Sequence, residues 1–155
     1  MTHGVPAALR GQRPNGPLQP EDRADWEVLA RAYHAFYGET FADQAYDTTW
    51  ANLVSGLDLF GAGAYADGRL VGIAHFLFHG HVWDEPVCYL QDLFVVEKLR
   101  GRGIGRSLIE YVAANARQRR SRRLYWLTKQ DNLAARRLYD SVTTFRGFVR
   151  YDIAL

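Results

Sequence analysis

The chain has 155 residues, 48% of them apolar and 14% aromatic, enough for one compact domain with its own core and too few for two. The formal net charge is only +2, and the longest apolar stretches, Ile73–Phe78 and Tyr89–Val96, are broken by His, Gln or Asp and fall far short of a membrane span. Cys88 is the single cysteine, which excludes an internal disulfide, and the amino terminus lacks the charged start and apolar core of a secretory signal, so a cytoplasmic protein is expected.

Four of the five prolines fall within residues 1–20. An extended or partly disordered segment is therefore expected over 1–19, with a short strand near Gln12–Leu18, ahead of a single domain over 20–155. Pro20-Glu21-Asp22 reads as a helix start, and Trp26, Leu29, Ala30, Tyr33, Phe36 and Tyr37 recur at helical spacing up to Gly38. A second helix is predicted over 44–54. Asp67-Gly68 is a strong hairpin signal between strands at 59–66 and 69–78. After a loop at 81–86, residues 87–96 form a nearly continuous apolar run, the pattern of a strand buried on both faces. Ile104, Leu108, Ile109, Val112, Ala113 and Ala116 mark one helix face. A buried strand over 123–128, a short helix over 132–140 and a terminal strand or strand pair over 145–155 complete an α/β domain with a mixed sheet.

Charge is unevenly distributed: Glu21 to Glu97 holds thirteen acidic and three basic residues, and Lys98 to Arg123 nine basic and one acidic. Arg117, Arg119, Arg120, Arg122 and Arg123 read as a solvated helix end favoured by the helix dipole. No nucleic-acid-binding fingerprint accompanies them, so no nucleic-acid partner and no membrane are expected. The segment Arg100-Gly101-Arg102-Gly103-Ile104-Gly105-Arg106 differs in kind. It lies between a buried strand and a helix, where unpaired N–H groups, a positive dipole end and glycines without Cβ atoms let a phosphate approach the backbone. A Walker loop would need Gly-Lys-Ser/Thr at the end, and a dinucleotide fingerprint starting at Gly101 would need glycine where Arg106 stands; neither pattern is met.

With Arg100, Gly103 and Gly105 in the pattern Gln/Arg-x-x-Gly-x-Gly/Ala, the chain resembles the GNAT superfamily of acetyl-CoA-dependent N-acetyltransferases. Tyr89-Leu90-Gln91-Asp92-Leu93-Phe94-Val95 and Asn132-x-x-Ala135-x-x-x-Tyr139 are similar to the diamine (spermidine/spermine-type) acetyltransferases and their histone/polyamine relatives. The resemblance implies a mixed, mostly antiparallel sheet with a splayed parallel strand pair, flanked by helices. It also implies acetyl-CoA as co-substrate and no metal. Leu93, Phe94 and Val95 would pair with the pantetheine arm through their backbone, as peptides do in strand addition. Arg100, Gly101, Arg102, Gly103, Ile104, Gly105 and Arg106 would hold the pyrophosphate, and Asn132 and Ala135 would lie along the thiol end. The Leu93 amide would stabilise the oxyanion, and Tyr139 would protonate the departing thiolate. A homodimer is a further possibility for the family.

The expected reaction is direct attack of an amine on the thioester in a ternary complex. The amine must first lose a proton, since its ordinary pKa is about 10.4. Relatives carry glutamate for this purpose where this chain has Gln91, which cannot act as a base. Asp92 follows, but alternation along a regular strand points it to the opposite face from Gln91. The acceptor is read as a cationic small amine or a lysine-like side chain, with Gln91, Asp92, Tyr37 and Trp83 as candidate substrate contacts. A protein N-terminal acetyltransferase and a non-catalytic acyl-CoA-binding module stay open as alternatives. His75, His79 and His81, with Asp84 and Glu85, are spaced in a way that brings zinc to mind, but the reading preferred here is a hairpin with solvent-facing histidines and no metal.

Overall fold

A computed structural model describes residues 13–155; the expected extended segment falls partly on residues 1–12, outside that range. The order of elements is β1 (Gly16–Pro17), α1 (Arg23–Phe36), α2 (Asp43–Ser55), β2 (Leu59–Ala66), β3 (Arg69–His79), β4 (Val87–Val95), α3 (Ile104–Gln118), β5 (Leu124–Tyr125) and α4 (Leu133–Val142), with single 3-10 turns at Pro20–Asp22 and Glu97–Leu99. The five strands form one sheet in the order β1-β2-β3-β4-β5. All pairs are antiparallel except β4 with β5.

The sheet has a core on each face. One is built by Leu108, Ile109, Val112 and Ala116 of α3 against Ala62, Ala74, Phe76, Cys88 and Leu90. The other is built by Trp26, Leu29 and Ala30 of α1, with Tyr46 and Leu53 of α2, against Tyr65, Leu70 and Ile73. Strand alternation explains the split, since Ile73 and Ala74 are neighbours that belong to opposite cores. Gly72 is small because α3 crosses it closely: a Cβ there would meet Leu108 Cδ1 at 3.0 Å. Asp67 and Gly68 both take positive φ, 49° and 74°, which is the geometry of a two-residue hairpin turn. Asp22 is buried yet satisfied, accepting from the Tyr65 hydroxyl at 2.6 Å and the Gln19 amide at 2.7 Å and pairing with Arg13 at 3.0 Å.

Three expectations are corrected. The strand over 123–128 shrinks to Leu124–Tyr125, because β4 and β5 pair only at Cys88↔Leu124 and Tyr89↔Tyr125 and then separate. The terminal strand over 145–155 is not formed: these residues carry no regular structure and their large apolar side chains face outward. The basic helix end is also not merely solvated, since Arg119 lies over the Phe60 and Phe78 rings at 4.3 and 4.8 Å.

Candidate active site

Past Tyr89 the edge of β4 that faces β5 has no strand beside it among the described residues, so Leu90 to Val95 border a gap in the sheet. Leu93 pairs with Ala74 on the other side, and Phe94 packs edge-on against Tyr33, 6.4 Å between centroids. At the end of β4 the chain turns through the 3-10 segment into the glycine loop. Gly101 and Gly103 have φ of 77° and 84°, a region L side chains enter only with strain, and Gly103 is the residue that caps α3. The first helical bond runs from the Ser107 amide to the Gly103 carbonyl at 3.0 Å, leaving the amides of Ile104, Gly105 and Arg106 with no intrahelical acceptor. The loop's shape and its free donors suit a pyrophosphate.

The three arginines divide the work. Arg100 donates from Nε to the Val95 carbonyl at 3.0 Å and lies over the Phe94 ring at 5.3 Å, pinning the turn. Arg106 reaches Ser141 Oγ at 2.9 Å on α4. Arg102 is exposed and makes no hydrogen bond or ion pair among the described residues, so its guanidinium is available to an anion. Gly105 lets α4 close on this corner, since a Cβ there would meet Leu138 at 3.0 Å.

Two cavities lie along this part of β4, sharing Tyr33 and Gln91 in their walls. The smaller, about 20 Å³, is lined by Tyr33, Tyr37, Leu90, Gln91, Leu93, Trp126, Leu127 and Tyr139. It brings Leu93, Gln91, Tyr37 and Tyr139 together from three distant parts of the chain. Tyr139 packs edge-on to Trp126 at 5.3 Å, and burial, followed by the nearby Tyr37, pushes its hydroxyl up to about 12. It therefore keeps its proton at neutral pH, as a donor to a departing thiolate must. Asn132 caps α4 by accepting from the Ala135 amide at 3.3 Å, and its side chain is within hydrogen-bonding reach of Tyr37. Asn132 thereby joins α4 to the same cluster.

The larger cavity, about 240 Å³, is lined by Trp26, Ala30, Tyr33, His34, Phe41, Ala45, Tyr46, Thr49, His75, Gln91 and Asp92. Gln91 and Asp92 both line it, which corrects the expectation that they face opposite ways. The register explains this: Leu90 pairs with Phe76 and Asp92 with His75, so Gln91 is an extra residue on β4, a bulge that breaks the alternation. Asp92 accepts from His75 Nδ1 at 2.9 Å. The Trp26 indole N–H donates to His75 Nε2 at 2.9 Å, and because an indole can only donate, Nε2 carries no proton and Nδ1 does. The imidazole is thus neutral and held at both nitrogens. Burial works to raise the Asp92 pKa, but the hydrogen bonds from His75 and the Tyr33 hydroxyl oppose it and hold the carboxyl below its usual range. An ionised carboxylate sits in a cavity walled by aromatic rings.

His79 bonds the Tyr125 hydroxyl at 2.8 Å and His81 accepts from the Trp83 amide at 3.3 Å, so the three histidines of the strand and loop serve separate partners. Among the described residues no group of three metal-ligating side chains gathers. Trp83 is 90% exposed and lines neither cavity. Cys88 is fully buried, and that burial, against a weaker pull from Arg119, raises its thiol to about 11, which leaves it unreactive. Trp26, His34, Phe41, Tyr46 and the His75–Asp92 bond were not foreseen as a site. The helical spacing that identified Trp26 as core says nothing of its N–H, and only the neighbouring strand reveals its partner.

Comparison with known proteins gives a consistent picture. The profile of the acetyltransferase (GNAT) family matches residues 26–144. A curated relative, the D-amino-acid N-acetyltransferase HPA3 of Saccharomyces cerevisiae, is 34% identical over 129 residues, 81% of this chain and 80% of that protein. Among solved structures, AAC(6')-Iy in complex with the bisubstrate analogue CoA-S-monomethyl-acetylneamine superposes with a TM-score of 0.79 at 19% identity, covering 93% of this chain and 99% of the other. A ribosomal-protein-alanine N-acetyltransferase from Brucella melitensis biovar Abortus 2308 does so with a TM-score of 0.74 at 22% identity, covering 92% and 100%. At these identities the two structures speak for the fold.

Proposed function

This chain belongs to the acetyltransferase (GNAT) family and is an acetyl-CoA-dependent N-acetyltransferase, and on that premise we propose that its acceptor is a cationic primary amine. The observation that carries the proposal is Asp92, an ionised carboxylate in an aromatic cavity next to the pocket shared by Leu93 and Tyr139. An ammonium entering there meets opposite charge at its end and ring faces along its sides, two interactions that strengthen as water leaves. The acidic balance of residues 21–97, which build most of the cavity, favours arrival of cations in the same way.

In the proposed reaction acetyl-CoA lies in the gap beside Leu93 to Val95, with its pyrophosphate on the amides of residues 104–106 and on Arg102. The neutral amine attacks the thioester carbonyl, forming the C–N bond. The Leu93 amide stabilises the oxyanion, a contribution of ~3 kcal/mol for one well-placed donor. The C–S bond then breaks and the thiolate takes a proton with help from the Tyr139 hydroxyl, while the amine's surplus proton leaves to water. Asp92, with its lowered pKa, is a poor proton acceptor and a good ammonium anchor, so its role is to select and orient the amine before deprotonation.

A second reading places the amine on an amino acid. The relative's name favours it, and so does Lys129, whose Nζ lies 5.8 Å from the Tyr37 ring with no ion-pair partner among the described residues. That ammonium would meet an acceptor's carboxylate. One experiment addresses both: steady-state release of coenzyme A with polyamines, D- and L-amino acids and a lysine-containing peptide, alongside matched neutral amines, at low and high ionic strength. The expected result is higher catalytic efficiency for the charged acceptors, weakening with salt. Equal use of the neutral amines with no salt dependence would overturn the assignment, and efficient use of amino acids alone would select the second reading.

A further inference from the structure

In the proposed reaction the acceptor enters as an ammonium and attacks as a neutral amine, so a proton has to come off inside the cavity. Most of the polar groups in its wall cannot take that proton. Gln91 carries an amide, which is no base. Against its burial, hydrogen bonds from His75 and Tyr33 keep Asp92 ionised below the usual carboxylate range, so it holds a proton weakly. Burial, with the charge of Asp92, pushes the Tyr33 hydroxyl up, so it keeps its own proton. The lone pair of His75, on Nε2, is engaged by the Trp26 indole.

His34 is placed differently. It lies in the last turn of α1, half-buried, and lines the same cavity. The Phe41 ring packs on it at 4.5 Å between centroids and its Nδ1 is 3.0 Å from the hydroxyl of buried Tyr46, so the imidazole is held on two sides. Its Nε2 has no hydrogen-bond partner among the described residues. The groups facing it are Tyr33 on its own helix, Tyr46 on α2 and Asp92 on β4, whose carboxylate is close enough to respond to a charge on His34. His75 on β3 is neutral, and Glu39, in the loop after α1, bonds the His34 carbonyl through its backbone amide at 2.9 Å. Arg31 lies over the Tyr46 ring at 4.1 Å but is itself paired with Glu27 and Asp43, 2.6 Å from each. An imidazolium formed at His34 therefore stands near a carboxylate and at the helix end where the dipole favours a cation.

We propose that His34 is the proton acceptor of the transfer, taking a proton on Nε2 from the ammonium anchored at Asp92, directly or through one water. The proposal rests on a cationic acceptor docking in this cavity. A hydroxyl can accept as well as donate, and with Nδ1–H given to the Tyr46 oxygen the imidazole lone pair is on Nε2. The ammonium's N–H bond breaks, its electron pair stays on nitrogen as the lone pair of the nucleophile, and the proton forms a new N–H bond at Nε2. The partly exposed ring then returns that proton to solvent before the next turnover. Imidazole is the side chain suited to take and release a proton near neutral pH. Asp92 and His34 thus divide between them what one carboxylate cannot do alone: the first holds the ammonium because it stays charged, and the second discharges it.

The test is the pH dependence of kcat/KM at saturating acetyl-CoA, for the native chain and for His34→Asn, which keeps a donor toward Tyr46 and removes the basic nitrogen. An enzyme that deprotonates a bound ammonium shows a profile that rises as its base titrates and then levels while the amine in solution is still protonated. One that waits for free amine follows the neutral fraction, rising about tenfold per pH unit up to the amine's own pKa of about 10.4. The native chain is expected to level. His34→Asn should lose about 100-fold at neutral pH and rise without levelling. With a fluorinated amine that is already neutral at the assay pH, the two chains should agree within about threefold, a selectivity that a structural role does not produce. An equal loss with both amines, an unchanged profile in His34→Asn, or a native profile that never levels would overturn the assignment. Should His34→Asn fail to fold, the native imidazole decides: followed by NMR, the His34 ring signal has to titrate where the rate profile bends, and a mismatch refutes the role. Failure here is separable from failure of the acceptor reading, which turns on the preference for charged over neutral amines and its salt dependence, not on the shape of the pH profile.

Discussion

The two sides of the active-site gap are made of different materials. On the proposed cofactor side, seven consecutive residues form the loop, and its shape comes from backbone angles at Gly101 and Gly103 and from amides a helix start leaves free. On the proposed acceptor side, the cavity is assembled from α1, α2, β3 and β4, and its character comes from side chains that meet only after folding. A loop built of free backbone amides suits an anion such as a phosphate and tolerates little change. A cavity built of side chains can be retuned one residue at a time, so substrate choice is the part of this enzyme free to vary.

Substitutions on the two sides should therefore fail differently. Gly103→Asp combines a strained backbone with a carboxylate against phosphate oxygens, a repulsion of about 4 kcal/mol at 4 Å in a surface-like dielectric. Calorimetry should show acetyl-CoA affinity reduced by roughly 100-fold or more with the fold intact; an unchanged affinity would remove the loop from cofactor binding. Tyr139→Phe sits where the two sides meet. It should lower kcat by about 100-fold while acetyl-CoA binding changes little, because in the proposed reaction the hydroxyl is needed only as the thiolate leaves, and the ring keeps its packing on Trp126. An unaltered single-turnover rate would exclude that role.

Asp92→Asn should act on the acceptor alone, raising KM for cationic amines by about tenfold with neutral amines and acetyl-CoA affected less than threefold. A uniform loss across amines would make Asp92 structural instead of selective. The smallest effect is on acid stability. Because the folded-state pKa of Asp92 is depressed, its charged form stabilises the fold above the unfolded value of 3.8, and that contribution disappears as pH falls through the lower folded value. Denaturant unfolding of the native chain and of Asp92→Asn should differ at neutral pH and converge below pH 3.8. Parallel curves would show the carboxylate to be uncoupled from folding.

The same division explains what was legible from the chain alone. Asp67-Gly68 announced the hairpin, and the α1 and α3 faces followed from apolar spacing, because turns and amphipathic helices are local. The glycine loop was legible for the same reason. The bulge at Gln91 was not, since one extra residue in a strand is defined only by the register of its neighbour, and it reversed the side on which Asp92 was expected. His75 was visible as a histidine but not as the neutral link between an indole and a carboxylate. Residues 145–155 had the alternation of a strand and no strand formed, because alternation specifies a face to bury and not what will bury it.

Trp26 gives the proposed acceptor cavity an optical readout. Its indole is 1% exposed, touches Trp50 at 5.1 Å between centroids, and is bonded through its N–H to the imidazole that holds Asp92. Anything that occupies the cavity, or disturbs the polarity of that bond, alters the surroundings of a chromophore shielded from bulk quenchers. Trp83, standing in the loop at 90% exposure, answers to iodide or acrylamide instead. With the outer indole quenched, the change in the remaining emission that is present in the native chain and lost in Trp26→Phe would follow docking in the cavity in real time, without a label and before any bond is made.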